Sequence, residues 1–149
     1  MRLDEAFDGI MGAIIGKLEA AQTEGGLLAA VETIVRGDRH RTPPDTPAIW
    51  VFAETATMRG RPTTIREPWE LPIALVAIYK TDDPEQGYDE ASRLAAAARS
   101  VILADRTLGL REYVQDTRSG RYEPSGPWHR EGNLFASVAV VLVTFVTNE

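Results

Sequence analysis

No cysteine occurs anywhere in the chain, which excludes disulfides, thiolate metal sites and a cysteine nucleophile. That composition is compatible with a reducing compartment. Histidine is scarce too, with only His40 and His129. Positive charge is in deficit: the formal net charge is −6 and the isoelectric point lies near 5.0. This argues against a protein whose whole surface binds nucleic acid and leaves room only for a local basic patch. The longest apolar run, Leu134 to Val146, is shorter than the roughly 20 residues a membrane-spanning helix needs. The opening MRLDEAFDGI carries acids where a signal peptide carries bases, so a soluble protein with no cleaved leader and no membrane partner is expected. There is no glycine-rich phosphate loop of the GxxxxGKS kind, no GxSxG, no HExxH and no paired CxxC, which removes the common signatures of nucleotide, hydrolase and zinc chemistry.

The 149 residues suit one domain spanning 1–149, large enough to bury roughly 70% of the unfolded chain's surface without staples. The clearest element lies between Gly87 and Leu110. There Ala91, Leu94, Ala95, Ala98, Val101 and Ile102 fall at steps of three and four, one stripe of a helix over about 88–104. Asp83 before Pro84 suits its cap, and the small side chains from Ala95 to Ala98 let the helix lie close to whatever it covers. A second amphipathic helix is read from Leu3, Phe7, Ile10, Ile14 and Leu18, ended by Gly25-Gly26.

The remaining apolar runs read as strands: 48–54, 71–79, 111–117 with Tyr113 and Val114 on opposite faces, and the closing LFASVAVVLVTFVTNE. Residues 28–36 fit either strand or helix, with the alternation of Val31, Thr33 and Val35 favouring strand. The segments 37–47 and 118–133 are punctuated by proline and glycine and read as loops. The fold class expected is α+β: a mainly antiparallel sheet with two amphipathic helices packed on one face.

The last strand carries an argument of its own. Leu134, Ala136, Val138, Val140 and Leu142 fall on one side and Phe135, Ala139, Val141, Val143 and Phe145 on the other, so neither face belongs in water. Fourteen residues at roughly 3.3 Å each span about 46 Å, whereas a domain of this size is about 40 Å across. The strand must bulge, bend or run onto a neighbouring molecule. With two helices on one face, the other face calls either for a sheet that curls on itself or for a second subunit.

Candidate chemistry is thin. Glu54, Glu67, Glu70, Asp82 and Asp83 gather around one hairpin and its exit, and a divalent-metal site for phosphodiester hydrolysis could be built from such a set. The ordinary reading places them in loops and strand ends, where acids normally lie. His40 between Arg39 and Arg41 could touch phosphate or be a solvated loop residue. Arg36-Gly37-Asp38 is a chance tripeptide. Trp50, Trp69 and Trp128 sit where aromatics anchor packing, and no aromatic-basic alternation of the single-strand-binding type is present. Between the second and third strands, Arg59, Arg61 and Arg66 make a basic hairpin on an acidic protein.

Taken in order, PAIWV at Pro47–Val51, ELPIAL at Glu70–Leu75, Tyr88 to Leu94 with Ala98-Arg99, and the closing AVVLVTFVTNE resemble the tail terminator and tail-completion proteins of long-tailed phages and viruses. These are small α+β proteins that assemble as hexameric rings on the end of the tail tube. The resemblance implies a structural virion protein with no catalytic residue, cofactor or metal. Its partners would be further copies of itself, the major tail tube protein and the head-tail connector proteins, with DNA only as cargo passing through the lumen. A connector protein of the neck, similarly built, is the alternative, and a metal-dependent nucleic-acid enzyme a further one.

Under that resemblance, Val138, Val140, Leu142 and Phe145 would meet neighbouring subunits. The hairpin of Arg59, Arg61 and Arg66 would dock on the tube or connector or face the lumen. Docking on protein is preferred, because strong phosphate binding in a conduit would retard passage. A solvated hairpin that keeps a sheet edge soluble is the ordinary alternative.

Overall fold

A computed structural model describes residues 1–23, 25–37, 45–61, 66–124 and 130–148. The Arg39-His40-Arg41 triplet, Asp38, Trp128 and the Pro62–Ile65 part of the hairpin lie outside the described residues. In chain order the elements are α1 (Leu3–Ala20), β1 (Thr33–Arg36), β2 (Ala48–Ala53), β3 (Thr57–Met58), β4 (Glu67–Lys80), α2 (Pro84–Leu103), β5 (Val114–Glu123), β6 (Arg130–Glu131) and β7 (Leu134–Thr147). The sheet runs β1-β2-β4-β7-β5, with β3 added to β4 and β6 to β7. Every pairing is antiparallel except β1 with β2.

The protein is thus an α+β fold with both helices on one face of a mostly antiparallel sheet. Residues 28–36 resolve into a turn followed by β1, so the alternation at Thr33 and Val35 marks a short strand. Helix α2 begins where its cap is expected: the Asp83 carboxylate accepts from the Glu85 N–H at 3.1 Å, and Pro84 occupies the first turn. The start of α1 is closed by the Glu5 carboxylate, which accepts from the Arg2 N–H at 3.0 Å. One core joins Ile10, Ile14 and Leu18 of α1 and Leu94, Ala98 and Ile102 of α2 to Ile49, Ile73, Leu75, Val141 and Val143 of the sheet. Each fully buried large aliphatic there contributes roughly 1.5–3 kcal/mol. Arg36 on β1 lies over the Phe7 ring at 5.5 Å and pairs with Asp8, which holds α1 against the β1 side of the sheet.

Strands β4 and β7 form the spine. They pair without interruption from Glu67 opposite Thr147 to Lys80 opposite Leu134. The length of the last strand is therefore matched by an equally long partner in the same chain, and the irregularities fall on β5, between Val114 and Asp116 and between Ser119 and Tyr122. Trp69 anchors one end, its indole N–H donating to the Thr147 hydroxyl at 3.2 Å.

Two expectations need correction. Tyr113 and Val114 do not face opposite ways: Tyr113 ends a turn, β5 starts at Val114, and both join the helix-side core. Tyr113 still lies in the turn before the strand, so the strict alternation of a strand does not apply to it. The segment 118–133 is not loop throughout either, since β5 runs on to Glu123. Gly120 sits where a β-carbon would meet the Val140 carbonyl oxygen at 2.9 Å, so a loop-forming residue here serves a close approach to β7.

The second face of the sheet carries its own cluster, Ala48, Trp50, Ala74, Val76, Ile78, Ala136, Val138 and Val140. Its members are buried in the single chain, Val138 and Val140 to 1% exposure. The expectation that these valines wait for another subunit is therefore not met. Phe145 is a second departure, because it belongs to the helix-side core and is 1% exposed. Side-chain alternation places it on the face opposite Val138 and Val140. Leu142 is half-buried at the margin of the second-face cluster.

Candidate functional site

The strand that leaves β2, the β3 hairpin and the start of β4 bring charged residues together at one end of the spine. Glu70 on β4 takes two guanidinium groups on the same oxygen: Arg59, just after β3, at 2.6 Å, and Arg118, on β5, at 2.7 Å. Glu54, just after β2, accepts from Arg121 at 2.8 Å, and Arg121 also pairs with Glu123 at 3.4 Å. The hydrogen bond to Glu54 holds the Arg121 guanidinium above its usual range.

The Arg121–Glu54 pair ties together strands that are three places apart in the sheet. In a flat sheet that separation is about 14 Å. The bridge therefore needs an extended Arg121 laid along the sheet or a sheet curled towards that face, and an arginine stem laid in this way shields carbon while its head stays wet. Of the two ways to protect the second face, closure by the chain itself is the one seen.

Beside this network an open groove of about 580 Å³ is lined by Leu3 and Phe7 of α1, Ala56, Leu71 and Phe145, with Arg2, Asp4 and Glu54 at its rim. Leu3 and Phe7 lie on the stripe read from sequence, yet both are only half-buried, because the groove that they share with Leu71 and Phe145 leaves part of each uncovered. A smaller hollow of about 210 Å³ lies between Arg66, Glu112, Tyr113, Val146, Asn148 and Met1. Burial, with the Glu112 carboxylate adding to it, pushes the Tyr113 phenol above its usual range.

The three arginines of the basic hairpin are all exposed but stand in different surroundings. Arg59 is bound to Glu70, Arg61 is exposed, and Arg66 borders the smaller hollow. The carboxylates proposed for a metal are likewise spread out. Glu54 and Glu70 are matched by arginines, whereas Asp83 caps α2 at the far end of β4 from Glu67. Thirteen strand steps of roughly 3.3 Å put those ends about 43 Å apart. Among the described residues no group of three or more histidine, aspartate and glutamate side chains could hold a metal ion, and no helix is long and apolar enough to cross a membrane.

Sequence reasoning missed Arg118, Arg121 and Glu123, because glycine and proline nearby suggested a loop. The alternation of Arg118 with Thr117 and Ser119 was the signal available. No protein-family model matches the chain, and no curated protein matches it either.

Proposed function

We propose that the chain is a structural virion protein that forms a ring at the head-proximal end of a tail tube, ending tube growth and joining the tail to the head connector. The observation that carries the reading is the open sheet. Its outer strands β1 and β5 lie on opposite sides, and among the described residues no strand pairs beyond either. A subunit with two different flanks can meet two neighbours through different surfaces, and head-to-tail contact of that kind closes into a ring when the rotation allows it.

The charged groups support the same reading, since the arginine–carboxylate pairs tie strands to one another and converge on no reacting centre. The overlong apolar strand, satisfied within one chain, lends it no support. In this role the protein needs no cofactor, its partners are further copies, the tube protein and the connector, and DNA passes through the lumen as cargo.

The test is native mass and negative-stain imaging of the full chain, alone and with isolated tail tubes. Rings on tube ends are expected. A protein that stays monomeric at tens of micromolar and ignores the tubes overturns the reading, and rings that bind the connector but never the tube place the protein in the neck.

A further inference from the structure

We draw no further inference here: the strongest candidate, the open apolar groove of Leu3, Phe7, Ala56, Leu71 and Phe145 beside the first turns of α1, carries nothing, because its rim charges are matched within the chain and nothing in the structure shows what covers it.

Discussion

Gly87, in the first turn of α2, lies so close to the Phe135 ring on β7 that a β-carbon at position 87 would sit 2.3 Å from Phe135 Cδ2. This close approach seats the helix on the sheet. Alanine at an interior helix position normally gains up to about 1 kcal/mol over glycine, but overpacking a buried contact costs about 1–3 kcal/mol. Gly87→Ala should therefore destabilise in urea denaturation, and in a Phe135→Leu background the same change should become neutral or favourable. A stabilising Gly87→Ala in the unaltered background would show that the ring has room to yield.

Val140 is buried within the single chain. Val140→Ala should cost about 1–3 kcal/mol from lost apolar burial and an unfilled cavity. The loss of melting temperature should be the same at every protein concentration. A loss that grows with concentration in step with assembly would return this residue to a subunit interface.

Glu70→Gln removes the carboxylate shared by Arg59 and Arg118. All three side chains are partly exposed, so the global cost should stay below about 1 kcal/mol. The local effect should be larger. Amide hydrogen exchange at Met58 and Arg59 should quicken relative to the spine, and unchanged exchange there would mean that the backbone bonds hold the hairpin unaided.

Asp105, beyond the end of α2, receives a hydrogen bond from the Lys17 ammonium of α1 at 2.9 Å. That bond, opposed by some desolvation and reinforced by the charge of Lys17, holds the carboxyl below its usual range. A depressed carboxyl contributes stability that is present in full above the unfolded value, near pH 4, and is lost as pH falls through the lower folded value. Asp105→Asn should lower the melting temperature at pH 7 and flatten its decline below about pH 4. Asp116, lowered by Arg106, keeps part of that decline in the variant. Identical acid limbs in the two proteins would remove the ion pair from the balance.

Much of this architecture was open to reading because periodicity is a local property. The three- and four-residue steps of Leu94, Ala98 and Ile102 and the Asp83-Pro84 cap marked α2, and the doubly apolar alternation from Leu134 onward marked a strand enclosed on both faces. The groove was not open to reading in this way. Leu3 and Phe7 carry the same helical signal as Ile10 and Ile14, and only the way distant segments pack leaves a groove beside the first pair and half-covers it. Nor could sequence bring Arg121 to Glu54, since 67 positions separate them.

The residue pattern by itself determined the two helices, the long apolar strand and the class of fold, since each follows from which side chains recur on one face of a short segment. Tertiary structure alone decided which strand neighbours which, that β4 matches β7 along its whole length, and that the second face is closed within one chain. Those outcomes depend on strand order, register and the reach of long side chains across the sheet. All three are relations between distant segments, and local alternation does not record them.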